Sequence, residues 1–241
     1  MPPKASVLLP FYNAEKTLKA AIESILQQTF TDFELVLVNN ASTDQSTAIA
    51  QHFAQQDTHI KLLDEPTQGI VYALNTGLMA IQTPYIARMD ADDVAKPTRL
   101  EKQIDFLETH SDIDLVSCLV DYQSVSENTQ GYQKYVDWIN TLATTKDIAI
   151  NRFVESPLAH PSVVFRRSAV EQWGSYRQGN FPEDYELWLR WLQAGAKMAK
   201  VPEKLLVWND TPTRLSRTDT RYLPKEFYQT KAQYLAQWLD Q

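Results

Sequence analysis

The chain has 241 residues, a net charge of −7 and a pI near 5.1, with 44% hydrophobic and 22% charged residues. That is globular composition with ample material for a core, which excludes a disordered chain. The acidic balance argues against nucleic acid as a partner, a single cysteine (Cys118) excludes an internal disulfide or a cysteine-rich zinc site, and no apolar run approaches the roughly 18 residues of a membrane span.

The start, Met1 to Asn13, carries one basic residue and a short apolar run stopped by Pro10. It does not read as a secretory signal, so the cytoplasm is the expected compartment. Val7-Leu8-Leu9 reads as a strand. Ala14 to Gln28 follows as a helix, with Leu18, Ala21, Ile22, Ile25 and Leu26 at helical spacing. Phe33 to Val38 is a buried strand ending in Asn39-Asn40. Ser42-Thr43-Asp44 is a turn and cap for a helix through about Ala54. Ile60 to Leu63 is a third strand, Gly69 to Ile81 a third helix, and Tyr85 to Met89 a fourth strand ending in Asp90-Ala91-Asp92-Asp93. Pro97 opens a helix through Glu108, and Asp114 to Val120 is a fifth strand.

This alternation implies an α/β fold with a mostly parallel central sheet flanked by helices. Ligands in such sheets bind beyond the carboxyl ends of the strands, where Pro10 to Asn13, Asn39-Asn40 and Asp90 to Asp93 all fall. After Asp121 the pattern changes. We read a loop, a helix from about Gln133 to Ile150, a strand from Ser162 to Phe165, a strong helix from Glu183 to Ala194 and a strand from Lys204 to Trp208. Thr211 to Tyr222 is a polar loop, and Lys225 to Leu239 an amphipathic helix. One domain over 1–210 is expected, changing character near 121, with 211–241 as a C-terminal helical appendage.

Several chemistries lack their motifs. The turn after the first strand is Pro10-Phe11-Tyr12-Asn13, not the glycine-rich turn of a dinucleotide site. There is no Gly-Lys-Ser/Thr phosphate loop and no Gly-x-Ser-x-Gly elbow. The four histidines show no metal-ligand spacing. Cys118 sits inside a strand pattern, as a core residue rather than a nucleophile.

Asp90, Asp92 and Asp93 crowd the end of one strand. Like charges this close repel unless something compensates, and a hard divalent cation is one compensator. An acidic loop ahead of the Pro97 helix is the other reading of that spacing. Glu183 and Asp184 open the late helix, with Asp184 on the Trp188–Trp191 side. Either they complement the helix dipole, or Asp184 is a carboxylate held beside aromatic surface as a proton acceptor. Glu186 and Arg190, four residues apart, read as a solvated ion pair.

Together these segments resemble the family 2 glycosyltransferases, whose fold is the Rossmann-like GT-A type. Four stretches carry the resemblance: Val7 to Ala14, Phe33 to Asp44, Tyr85 to Asp93, and Pro182-Glu183-Asp184-Tyr185. Their order and spacing match over roughly residues 5–210. The resemblance implies non-processive inverting transfer from a nucleotide-sugar donor, most readily a UDP-sugar, to a glycan or lipid-linked glycan acceptor of cell-surface glycan assembly. It implies Mn²⁺ or Mg²⁺ held chiefly by Asp92 with Asp90. It places Pro10, Tyr12, Asn13, Asn40, Asp90 and Asp93 around the donor, Asp184 as general base and Glu183 beside it. The family usually has aspartates at the positions of Asn39 and Asn40; in relatives the residue matching Asn40 accepts the uracil N3–H. An uncharged asparagine accepts more weakly, which puts the donor base in doubt.

Arg214 and Arg217 are candidates to close over the diphosphate, or else a solvated basic loop. His160 is a candidate acceptor-site residue or a structural histidine. Tyr122, Tyr132, Tyr135 and Trp138 read better as core than as a sugar platform. The last helix docks on the domain, pairs in a homodimer, or contacts a membrane surface peripherally; the negative charge weakens the last. Arg190-Trp191 lacks the Gln of the processive Gln-x-x-Arg-Trp motif. The competing readings are a sugar nucleotidyltransferase, which lacks its basic glycine-rich loop here, and a nucleotide-sugar-binding relative without transfer activity.

Overall fold

The computed structural model describes residues 2–124, 130–212 and 214–239. Residues 125–129 of the expected loop after Asp121, and Thr213 of the 211–222 loop, lie outside them. The elements in chain order are β1 (Ala5–Phe11), α1 (Leu18–Leu26), β2 (Phe33–Asn39), α2 (Ser46–Gln56), β3 (Ile60–Asp64), α3 (Ile70–Ala80), β4 (Tyr85–Arg88), β5 (Val94–Ala95), α4 (Arg99–Thr109) and β6 (Leu115–Ser124). There follow α5 (Gln130–Thr141), α6 (Thr145–Asn151), a 3-10 turn (His160–Ser162), β7 (Val164–Arg166), α7 (Arg167–Trp173), α8 (Glu183–Gln193), β8 (Met198–Asp210), α9 (Leu215–Thr218), a second 3-10 turn (Thr220–Tyr222) and α10 (Pro224–Leu239).

The strands form one sheet in the order β3-β2-β1-β4-β7-β6-β8-β5. Pairing is parallel for β1–β2, β1–β4, β2–β3 and β6–β8, and antiparallel where β7 or β5 takes part. Helices cover both faces, so the inner strands are apolar at nearly every position. Leu9, Leu35 and Leu37 face α1 and α4 through Ile22, Ile25, Leu100 and Ile104. Their neighbours Leu8, Val36 and Val38 face α3 and α8 through Val71, Leu74, Trp188 and Trp191, as the two-residue period of a strand requires. Cys118 is buried in the first of these cores.

Three local expectations are corrected, and two short elements appear that no expectation covered. The helix expected over Gln133 to Ile150 is two helices, because Thr144 stops the first and caps the second in a reciprocal pair with Asp147. The last strand begins at Met198, not Lys204. The two-residue β5 and the seven-residue α7 are too short to leave a periodic signal. The polar stretch 211–222 carries the short α9 and a 3-10 turn.

The β2–α2 turn is strained at one place. Ala41 has φ +59°, a left-handed conformation that costs an L residue with a Cβ roughly 1–2 kcal/mol. Ala41→Gly is expected to stabilise the fold by about 0.5–1 kcal/mol, after the larger unfolded-state entropy of glycine is subtracted. A rise in the thermal midpoint checks it; a fall would mean the turn relaxes elsewhere.

Candidate active site

The carboxyl ends of β1, β2, β4, β6 and β8 share one rim. The antiparallel β7 starts there, which brings His160 to the same edge, since Val164 pairs with Ala87 near the end of β4. Two cavities open on this rim, of about 640 and 970 Å³. They meet at Ile70, Asp92, Arg214 and Leu215, which line both.

The carboxylates after β4 stand on a buried polar scaffold. Arg99 of α4 donates from Nη2 to the Arg88 carbonyl (2.7 Å) and from Nε to Gln103 (3.0 Å). Gln103 in turn donates to the carbonyls of Val116 and Ser162. This ties β4, β6 and the 160–162 turn together beneath the site. Arg88, 2% exposed, donates from Nη2 to Asp90 Oδ1 at 2.5 Å. Burial opposes the Asp90 charge, but Arg88 outweighs it and holds the carboxyl below its ordinary range. Burial and the neighbouring Asp90 push Asp92 up to about 6. Burial and Asp92 raise Asp93 well above its ordinary value.

Asp93 is fully buried and lines neither cavity. Its Oδ1 accepts from the Asn209 backbone N–H (2.8 Å), and its Oδ2 is buried without a hydrogen-bond partner among the described residues. Ligand oxygens of Asp90, Asp92 and Asp93 all lie within 4.8 Å of one another. An oxygen-only donor set with an orphaned buried oxygen fits a small hard cation such as Mg²⁺ or Mn²⁺.

Glu183 and Asp184 sit in the first turn of α8 and line the smaller cavity with Asp90, Asp92 and His160. Burial, then the adjacent Glu183, push Asp184 up to about 8. Glu183 Oε2 accepts from the Tyr222 hydroxyl at 2.5 Å. His160 shares a 2.7 Å hydrogen bond with Tyr176 and meets Trp188 edge-on. Burial and the Arg88 charge hold His160 well below its ordinary value, so it is neutral, and its 3.9 Å approach to Glu183 is not an ion pair.

The Glu186–Arg190 pair is not solvated, contrary to expectation. Arg190 engages Glu186 at 2.9 and 3.1 Å, and also donates to the carbonyls of Trp173, Gly174 and Ser175. Tyr234 of α10 caps Glu186 at 2.5 Å. Sequence spacing shows the pair but not the helix that covers it. One side of α10 therefore docks on the domain through Tyr234 and Phe227 against Tyr185 and Leu189, while Tyr228, Trp238 and Leu239 are exposed.

Pro10, Tyr12, Asn13 and Asn40 line the larger cavity. Asn13 orders the loop after β2, with its Oδ1 accepting from the Thr43 N–H (2.8 Å). Both asparagines at the end of β2 are engaged. Asn39 donates to Asp64 (2.9 Å) and accepts from the Ser42 N–H (3.1 Å). Asn40 accepts from the Gly69 N–H (2.7 Å) and donates to the carbonyls of Thr67 (2.8 Å) and Glu65 (3.3 Å). The amide therefore pins the 65–69 loop, a task a carboxylate cannot perform. Asn40→Asp is expected to cost about 1–3 kcal/mol, by setting an acceptor against two carbonyls. A lowered denaturant midpoint checks it.

The two arginines after β8 separate. Arg214 lies over the Trp208 ring at 4.6 Å, its Nη1 buried without a hydrogen-bond partner among the described residues. Burial works against its charge, yet Asp93, Asp92 and Asp90 hold it firmly protonated. Arg217 lines neither cavity; its guanidinium is paired with Asp210 and stacks on Tyr132 at 4.4 Å. It is a structural tie, not a free cation over the donor. Tyr132, Tyr135, Glu155 and Tyr222 also line the smaller cavity. Sequence reasoning left Glu155 and Tyr222 unnamed, and they carry no motif.

A family profile described as "Glycosyl transferase family 2" matches residues 6–174. The chain is 33% identical over 204 residues to the amylovoran biosynthesis glycosyltransferase AmsE of Erwinia amylovora, an alignment covering 83% of this chain and 74% of that protein. Residues 1–349 of S. aureus TarS, solved in complex with UDP-GlcNAc, superpose with a TM-score of 0.70 at 19% identity, covering 98% of this chain and 71% of that one. The mannosyltransferase PcManGT of Pyrobaculum calidifontis, solved with GDP-Man and Mn²⁺, superposes at 0.66 and 20% identity, covering 100% of this chain and 64% of that one.

Proposed function

The chain belongs to glycosyltransferase family 2, and on that footing we propose that it moves one sugar, with inversion, from a nucleotide diphosphate donor to a hydroxyl of a growing polysaccharide or surface glycan. The carrying observation is the pair of cavities that meet at Asp92 and Arg214, with Asp184 in one and the β1 and β2 loops in the other.

The nucleoside occupies the larger cavity, beside Tyr12 and the loop pinned by Asn40. The diphosphate lies at the junction, where Arg214 offers a guanidinium N–H with no hydrogen-bond partner among the described residues. The sugar and the acceptor meet in the smaller cavity, with His160 on its wall, neutral and hydrogen-bonded to the Tyr176 hydroxyl. Asp184 takes the proton of the acceptor hydroxyl as its oxygen attacks the anomeric carbon. The bond from that carbon to the phosphate oxygen breaks, and its electron pair leaves with the nucleoside diphosphate. Arg214 faces the negative charge that develops there. No covalent enzyme intermediate is needed. Asp92 and Asp90, with Asp93 behind them, would hold Mn²⁺ or Mg²⁺, which when bound supplies further positive charge to the leaving diphosphate.

UDP is the first candidate base, on the likeness to a UDP-GlcNAc complex, but a GDP-Man complex is nearly as similar in fold. Because the Asn40 oxygen already accepts the Gly69 N–H, it is a weak guide to the base. Among the described residues no helix is long and apolar enough to cross a membrane. Calorimetric titration with UDP, GDP and dTDP, each with and without Mn²⁺, tests the reading. Metal-dependent binding of one nucleotide is the expected result. Absence of binding for all three under every condition would overturn it.

A further inference from the structure

Two carboxylates side by side in one buried helix turn cannot both ionise freely, and only one can serve as the base. Nothing in their own sequence distinguishes them. The difference lies in what reaches them from outside the helix.

Glu183 receives the Tyr222 hydroxyl at 2.5 Å, the one side-chain hydrogen bond to it among the described residues. Asp184 receives only main-chain donors, including the Tyr185 N–H at 2.7 Å. Tyr222 comes from the 3-10 turn between α9 and α10, a segment outside the matched family region of 6–174. That turn is itself fixed by Asp219, whose Oδ1 accepts from the Arg221 N–H (2.9 Å) and Nε (3.1 Å).

Resting on the proposed transfer reaction, we infer that Tyr222 is a positioning residue that assigns the two carboxylates their roles: its hydroxyl keeps Glu183 the ionised member and leaves Asp184 as the proton acceptor. A hydrogen bond donated to a carboxylate favours its charged form. Once Glu183 is charged, its field raises Asp184, the second cause of that shift after burial. Tyr222 remains a donor throughout, because burial and Glu183 raise its own phenol well above the ordinary value.

The other groups facing the pair do not make this distinction. Burial raises Glu183, and the Tyr222 hydrogen bond is the largest influence against that rise; Arg221 and Arg88 also draw on Glu183 as positive charges, but no hydrogen bond from either to Glu183 or Asp184 occurs among the described residues. Asp90 disfavours charge on Asp184. His160 is neutral, and the Tyr176 hydroxyl is engaged with it. The Tyr135 hydroxyl donates to the Ser156 carbonyl. Asp92 and Arg214 line the same cavity.

The test is carboxyl-carbon NMR titration of the full chain labelled at Asp and Glu side chains, with Asp184→Asn and Glu183→Gln assigning the two signals. In the wild type Asp184 is expected to titrate as the upper member, at about 8. In Tyr222→Phe the Asp184 midpoint is expected to fall and the Glu183 midpoint to rise, by about one pH unit each. Opposite movement is the signature, since water entry from a merely structural defect lowers both. Movement in the same direction, or none, overturns the inference. If Tyr222→Phe does not fold, Glu183→Gln decides: Asp184 must titrate lower once its neighbour carries no charge, and an unchanged midpoint overturns the inference. UDP titration of the same samples reads the transfer proposal separately, because no nucleotide enters the NMR experiment.

Discussion

Asp184→Asn is expected to lower the rate of sugar transfer by about 10²–10⁴-fold, the usual contribution of a positioned base. Nucleotide affinity should stay close to wild type, since Asp184 lines the cavity away from the β1 and β2 loops. The amide fills the same space and cannot take a proton. The sign of the pH dependence follows from the direction of the shift. Asp184 is raised to about 8, and a base acts only when deprotonated, so kcat/KM should climb with pH along an acid limb near that value. Initial rates of nucleotide release across pH 5 to 9 check both points. A variant that transfers at the wild-type rate would remove Asp184 from the mechanism, and a rate falling with rising pH would contradict a base.

Asp92→Asn should act on the other half of the reaction. Asp92 lines both cavities and is raised to about 6 by burial and by Asp90, a cost that a bound cation would relieve. Changes to residues behind a metal ligand already weaken metal binding by about 10–100-fold, and loss of a ligand should exceed that. The expected result is that Mn²⁺ no longer strengthens nucleotide binding, while metal-free binding is retained. Calorimetry with and without Mn²⁺ separates the two. Unchanged enhancement by the metal would exclude Asp92 as a ligand.

The parts of the molecule legible in the sequence were those with long periodic signals or crowded chemistry. The β1 to α4 alternation repeats the strand period and the helical period in turn, and the three crowded aspartates raise the question of a cation, although their spacing suits an acidic loop equally well without the family resemblance. What stayed hidden depends on partners distant in sequence. Arg214 and Arg217 are three residues apart in the same polar stretch, and only the position of Asp210 shows that Arg217 is paired, while among the described residues the Arg214 Nη1 has no hydrogen-bond partner. The Glu186–Arg190 spacing suits a surface pair equally well until Tyr234 is seen to cover it. Asn39 and Asn40 are a departure from the family pattern in sequence; in three dimensions they are the ties of two loops. Tyr222 belongs to no motif, and its place beside Glu183 follows from how the 211–222 stretch folds back.

The end of β8 holds the site from two sides. Asn209 takes the Asp93 carboxylate on its N–H and donates to the Asp92 carbonyl, and the next residue, Asp210, holds Arg217 and Tyr122. These consecutive residues point to opposite faces of their strand, so their assignments depend on phase. The phase is set upstream, where Cys118 pairs with Val201, Leu119 with Lys204 and Val120 with Leu206, so that β8 carries three more residues than the strand beside it. The unpaired residues in that excess are Pro202, Glu203 and Leu205; the first two are exposed and Leu205 is buried in the core. Pro202 and Glu203 therefore act as a spacer in which length matters more than side-chain identity, while Leu205 packs into the core. Substitutions at Pro202 and Glu203 leave both anchors in place, whereas loss of a single residue would swap the faces of Asn209 and Asp210 and disconnect the aspartates and the C-terminal segment at one stroke.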